Sequence, residues 1–146
     1  MAETKASILV VANRTAESDE LLEALRRRAE EGPAAFTLLV PATPHGVAWA
    51  ADMHSGAPEA EEHMQNAVES LRGAGLEVVE GKVGDPDPVA AVEDAVNFGR
   101  FDEVVVSTLP THLSKWLKLD LPHRVERVTG LKVTHITASE ASAPAG

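Results

Sequence analysis

FDEVVVSTLPTHLSKWLKLDLPHRVERVTGLKVTHI, residues Phe101 to Ile136, is the stretch whose reading decides the fold. Val104–Val106 is a short continuous apolar run, the pattern of a strand buried on both faces of a parallel sheet. A long loop follows it. A short helix then runs through Arg124-Val125-Glu126-Arg127-Val128, and Lys132–Thr137 reads as a last strand. Strand, helix and strand in that order call for a crossover between parallel neighbours.

Upstream, the same alternation repeats. Ala6–Ala12 (ASILVVA) is a buried strand. Ser18 offers an N-cap, with Asp19 and Glu20 in the first turn, where the helix dipole favours acids. Leu21, Leu22, Leu25 and Ala29 keep helical spacing through Glu31, and Gly32-Pro33 ends that helix. Phe36–Val40 is a second strand. Pro41–Pro58, with Trp49 and Met53 and no clear period, reads as a long loop of the kind that is often functional, with Trp49 a candidate lid. From Glu59 a helical stripe of Met64, Ala67, Val68 and Leu71 closes at Gly73-Ala74-Gly75. Leu76–Val79 is a third strand. Gly84-Asp85-Pro86-Asp87-Pro88 turns into a helix with Asp87 as N-cap and Pro88 at its first position, facing Val89, Val92, Ala95 and Val96 inward.

Five strands so arranged predict an α/β fold, a five-stranded parallel doubly wound sheet in a single domain over residues 1–138. Residues 139–146 (SEASAPAG) are small and polar enough to read as a disordered tail. In such sheets ligands sit beyond the carboxyl ends of the strands, where the strand order reverses. With the first and fourth strands as central neighbours, that crevice is lined by Asn13, Arg14 and Thr15 on one side and by Ser107, Thr108 and His112 on the other. Thr43, after the second strand, joins these ligand-binding candidates.

Composition narrows the function. With 146 residues, one core can bury roughly two thirds of the unfolded surface. Aromatics make up 3% of the chain, so that core must be aliphatic. The absence of cysteine excludes disulfides, thiol catalysis and Cys-ligated metals. No apolar run approaches the ~20 residues of a membrane span. Met1–Ser7 lacks the apolar region of a signal peptide, which predicts a cytoplasmic protein. A net charge of −10 opposes nucleic-acid binding. Residues 110–132 nevertheless carry net +3, leaving −13 for the remainder. Lys115, Lys118, Arg124 and Arg127 in that segment form a candidate anion or partner patch, against the simpler reading of a solvated helix face.

Taken together, Ile8–Leu25 (ILVVANRTAESDELLEAL), Gly84-Asp85-Pro86 before a helix, and the Phe101–Ile136 layout resemble the universal stress protein family along nearly the whole chain. The resemblance implies the adenine nucleotide alpha hydrolase-like fold and a homodimer paired through the last strand, Leu131–Ala138. In nucleotide-binding members a Gly-x2-Gly-x9-Gly-(Ser/Thr) loop cradles phosphates, because backbone amides must approach with no Cβ in the way. Laid on that pattern, Ser107, Pro110 and Asp120 replace the three glycines and Leu121 the hydroxyl residue. Pro110 has no amide proton to donate. Asn13 stands where the family places a strand-end Asp. The resemblance therefore implies a divergent member that does not hold ATP.

Rival chemistries find little support. A receiver domain needs an acid pair, a phosphoacceptor Asp and a Lys where this chain has Asn13-Arg14, Gly81-Lys82 and Ala138. Phosphate- and dinucleotide-binding glycine loops are absent. His54 and His63 lie nine apart with no metal-binding motif, so no metal is expected. Ser107 or Thr108 with His112 could be read as nucleophile and base, but Ser and Thr at a strand's end more often cap loops or hold water. Trp116 with Leu113 and Leu117 is most simply an apolar patch. The expectation is a non-enzymatic, cofactor-free homodimeric stress-response or regulatory module. Its rival is a small-molecule-binding protein or enzyme using the crevice at the ends of strands one and four, its ligand or protein partner unnamed by the sequence.

Overall fold

The computed structural model describes residues 5–12, 15–41, 56–85, 87–109 and 120–138, residues 56–60 by their backbone alone. Among the described residues five strands alternate with four helices: β1 (Ala6–Val11), α1 (Asp19–Glu31), β2 (Ala34–Pro41), α2 (Gly56–Gly73), β3 (Val78–Gly84), α3 (Pro88–Phe98), β4 (Glu103–Thr108), α4 (Leu121–Thr129) and β5 (Lys132–Thr137). The strands form one parallel sheet in the order β3-β2-β1-β4-β5. The order reverses between β1 and β4, as the doubly wound reading expects.

Strand alternation sends successive side chains to opposite faces, and helices cover both. Ile8 and Val10 of β1 pack with Leu21 and Leu25 of α1 and Met64, Val68 and Leu71 of α2. Leu9 and Val11 pack with Val89, Val92 and Ala95 of α3 and Leu121 and Val125 of α4. β1 is central and covered on both sides, which explains its unbroken apolar sequence.

The helix ends follow the local chemistry. Ser18 Oγ accepts from the Leu21 amide at 3.2 Å, and Asp87 Oδ1 accepts from the Val89 amide at 3.1 Å. At the end of α2, Gly75 takes φ +96°, and the amides of Gly75 and Leu76 donate to the carbonyls of Arg72 and Leu71. That is a Schellman closure, and its left-handed residue favours glycine.

Three boundaries depart from the sequence reading. The third strand is Val78–Gly84, not Leu76–Val79, because Leu76 is consumed in closing α2. It runs on through Gly84, which the sequence had placed in a turn, because Lys82, Val83 and Gly84 pair with Leu39, Val40 and Pro41. A Cβ at Gly84 would lie 2.8 Å from the Ala91 Cβ and 2.9 Å from Leu39 Cδ1, so the glycine lets α3 approach the sheet. α2 begins at Gly56 rather than Glu59. Pro58 then sits in the first turn, where its missing amide proton costs no helical bond. The proposed lid, Trp49, and the tail at 139–146 lie outside the described residues.

The amino end of the sheet is held by polar contacts. Ser7 and Asp102 exchange two bonds, the Asp102 amide to the Ser7 carbonyl at 2.7 Å and the Ser7 amide to Asp102 Oδ2 at 2.8 Å. Arg28 of α1 forks onto Glu103 of β4, with Nε to Oε1 at 3.1 Å and Nη2 to Oε2 at 2.6 Å. The Arg28 hydrogen bond, opposed by partial desolvation, holds the Glu103 carboxyl below its ordinary value. A depressed carboxylate stabilises the fold above its unfolded pKa, and that contribution is lost as pH falls through the folded value. Glu103→Gln should therefore lower stability at pH 7 by about 1 kcal/mol. The difference from the parent should shrink as pH drops below the ordinary glutamate value of about 4.3. Thermal melts of both proteins from neutral to acid pH check this, and a constant difference at every pH would refute it.

Candidate functional site

Beyond Val11 and Val106 the two central strands bring their following residues together. Thr15 and Ser107, 92 positions apart, are each 1% exposed, and their hydroxyl oxygens lie 2.6 Å from one another. The Ser18 amide donates to the Thr15 carbonyl at 3.0 Å, which turns the chain from β1 into α1. Two hydroxyls carry two protons, and the bond between them uses one. The other proton has no acceptor among the described residues, although both side chains are buried. Buried polar groups are nearly always satisfied, so the pair is suited to a water or a ligand atom that accepts.

Thr108 behaves differently. Its hydroxyl lies 2.7 Å from His135 Nε2 on β5, and its carbonyl accepts from the Ala138 amide at 2.8 Å. Partial desolvation of its ring holds the His135 imidazole below its ordinary value, which favours the neutral form. One ring nitrogen of a neutral imidazole accepts and the other donates. Ser107 and Thr108 are consecutive on a strand and therefore leave the sheet on opposite faces. The sequence grouped them in one wall of a single crevice. The structure divides them, Ser107 toward Thr15 and Thr108 toward His135.

A third polar pair stands at the start of α4. Asp120 has φ 58° and ψ 44°, the left-handed region, and is the one non-glycine residue with positive φ among those described. Its carboxylate does not cap the helix. It meets His123 Nδ1 at 2.8 Å, with the side chain 59% exposed. A left-handed backbone is where glycine is most at home, which fits the alignment of Asp120 with a phosphate-loop glycine. A carboxylate thus stands at a helix N-terminus, the place where such loops hold an anion.

Of the residues nominated from sequence, Thr15, Ser107 and Thr108 lie at the carboxyl end of the central strands. Arg124 and Arg127 are exposed on α4. Asn13, Arg14, Thr43, His112, Lys115 and Lys118 lie outside the described residues. Sequence reasoning missed His135 as a site residue, reading it only as part of an edge strand. Its role depends on the β4–β5 register, Val106 beside His135 and Thr108 beside Thr137, which no local pattern encodes. It also missed the contact of His63 Nδ1 with Glu17 Oε2, 3.2 Å apart between α2 and the turn after β1. No group of three or more His, Asp or Glu side chains suited to a metal occurs among the described residues.

No family sequence model matches the chain, and no curated protein matches it. Solved structures do. A universal stress protein in complex with cAMP superposes with a TM-score of 0.59 and 19% identity, over 92% of this chain and 98% of that one. A universal stress protein from Archaeoglobus fulgidus gives 0.61 and 18%, over 90% and 93%. A universal stress family protein from Arabidopsis thaliana with AMP bound gives 0.61 and 15%, over 96% and 98%. At these identities the likeness is one of fold, and the chain has the universal stress protein fold.

Proposed function

We propose that the protein is a non-enzymatic regulatory module on this fold, working as a homodimer in a stress response and not holding ATP. The observation that carries the reading is Asp120. Its left-handed backbone matches a phosphate-loop glycine, while its carboxylate puts negative charge at the N-terminus of α4. The similar structures with cAMP and AMP are evidence that relatives of this fold take nucleotides. In this chain two of the aligned glycine positions, Pro110 and Asp120, carry residues poorly suited to a polyphosphate. The homodimer reading rests on β5, an edge strand with Lys132, Thr134, His135 and Thr137 exposed. Light scattering and native mass spectrometry of the purified chain test both parts. A mass of twice 15.5 kDa without bound nucleotide is expected. A monomer, or a co-purified nucleoside triphosphate, would overturn the corresponding part.

A second reading, a small-molecule carrier, is favoured by the buried hydroxyl pair. A ligand atom that accepts a hydrogen bond would use the proton the Thr15–Ser107 contact leaves over. Thr15→Val would remove one hydroxyl and leave Ser107 buried without its partner, costing about 1–3 kcal/mol. If the carrier reading holds, small molecules released from the denatured parent should include a stoichiometric compound that Thr15→Val retains poorly. Equal retention, or no compound at all, argues for the first reading.

A further inference from the structure

The two edges of the sheet are finished differently. β3 forms one edge and β5 the other. An edge strand carries amides and carbonyls that a further strand can bind. The Glu77 carbonyl, just before β3, accepts from the Phe36 amide at 2.8 Å and so faces β2. Alternation turns the next carbonyl, that of Val78, away from the sheet. Arg72 meets it there. Its Nε donates to the Val78 carbonyl at 3.0 Å and its Nη2 at 2.8 Å, and Nη2 also reaches the Val79 carbonyl at 3.3 Å.

The path of the chain makes this contact possible. Arg72 lies in the last turn of α2, and the closure through Gly75 folds the backbone so that Val78 returns alongside it. The edge is also bent at this point. Phe36 stands beside Val78 and Thr37 beside Glu80, which leaves Val79 as an extra residue, a β-bulge. Val79 is 58% exposed, an apolar side chain on a sheet edge. Beyond it Glu80 and Lys82 add charges, 3.7 Å apart. β5 has no counterpart to Arg72. Among the described residues no side chain bonds to the backbone of Lys132–Thr137.

We propose that Arg72 is a guard that keeps the β3 edge from pairing with a second copy of this chain. It occupies the acceptors that an incoming strand would need first, beside the exposed Val79. A guanidinium suits the task, because its N–H donors form a rigid fork that serves two carbonyls at once. An approaching strand must displace that charged group and leave it without the bonds it had, which costs more than displacing water. The consequence is for assembly. A chain with two open edges joins copies into an open row, whereas one with a single open edge stops at a closed pair. The guard concerns β3 alone and stands whether or not β5 pairs.

The test is sedimentation velocity on the full chain and three variants over a range of concentrations. Arg72→Ala is expected to gain mass with concentration and to reach at least about twice the parent's mass by about 100 μM. Val79→Lys alone should match the parent. Added to Arg72→Ala, it should restore the parent's mass, because strands paired across a two-fold axis would bring like charges together. Amide exchange then locates the contact, with slower exchange expected over Val79–Val83 in Arg72→Ala. A failure of the β5 reading would change the parent's own mass and leave the difference between parent and variant intact. Three results would overturn the proposal. One is equal mass for Arg72→Ala and parent at every concentration. Another is association or precipitation of Arg72→Ala that Val79→Lys does not relieve, which would trace it to unfolding. The last is association with slower exchange elsewhere and none over β3.

Discussion

Calorimetry of the chain with ATP and magnesium is expected to show no saturable binding tighter than about 100 μM, equivalent to about 5.5 kcal/mol. Asp120 stands at the N-terminus of α4 with its side chain 59% exposed. At that exposure the repulsion is solvent-screened, nearer ~1 than ~4 kcal/mol per unit of phosphate charge at 4 Å. Electrostatics alone would therefore not abolish binding. The larger loss is of backbone donors, since each hydrogen bond to a charged group is worth about 1.5–3 kcal/mol. Pro110 has no amide proton, and Asp120 carries a side chain where glycine would leave the amides bare. Restoring glycine at 107, 110 and 120 should move ATP affinity by about a hundredfold or more, the sum of these effects. Asp120→Gly alone is expected to keep or raise the melting temperature, because it relieves a left-handed residue that costs roughly 1–2 kcal/mol. Saturable ATP binding by the parent, unchanged by the triple substitution, would refute the alignment and the physical argument together.

The second large effect concerns assembly. β5 lies at the edge of the sheet, with Lys132, Thr134, His135 and Thr137 exposed and Val133 and Ile136 half-buried. The Ala138 amide donates inward to Thr108. By strand alternation, the amides of Thr134 and Ile136 also point to β4, and those of Val133, His135 and Thr137 point outward. An antiparallel copy across a two-fold axis would pair with those outward groups. Val133→Pro removes one outward donor and bends the strand without breaking a bond to β4. It is expected to convert a dimer of twice 15.5 kDa into a 15.5 kDa monomer at micromolar concentration. Thr134→Pro, which deletes an inward donor, should instead lower the melting temperature. If parent and Val133→Pro both run as monomers, or both as dimers, pairing through this edge is wrong.

Much of the fold was legible because it depends on short-range pattern. The apolar runs at 6–12 and 104–106, the caps at Ser18 and Asp87, and the glycine stop after Gly73 are local facts, and each became an element end or a buried strand. The edge strands were harder to bound. β3 carries Glu80 and Lys82 on its open face, so the continuous apolar signal stopped at Val79 while the ladder ran on to Gly84. Its true end at Gly84 is set by pairing with Pro41 and by contact with Ala91, both remote in sequence.

The candidate site divides along the same line. The sequence by itself determined which residues follow the central strands, and hence that Thr15, Ser107 and Thr108 gather at one end of the sheet. Strand periodicity was enough for that. Tertiary structure alone decided that Ser107 meets Thr15 while Thr108 meets His135, because partner identity across a sheet is fixed by register between strands dozens of residues apart. It alone decided that Asp120 adopts a left-handed backbone and turns its carboxylate to His123 instead of capping α4. A residue name states the charge available; only the folded chain states which way that charge points and what it meets.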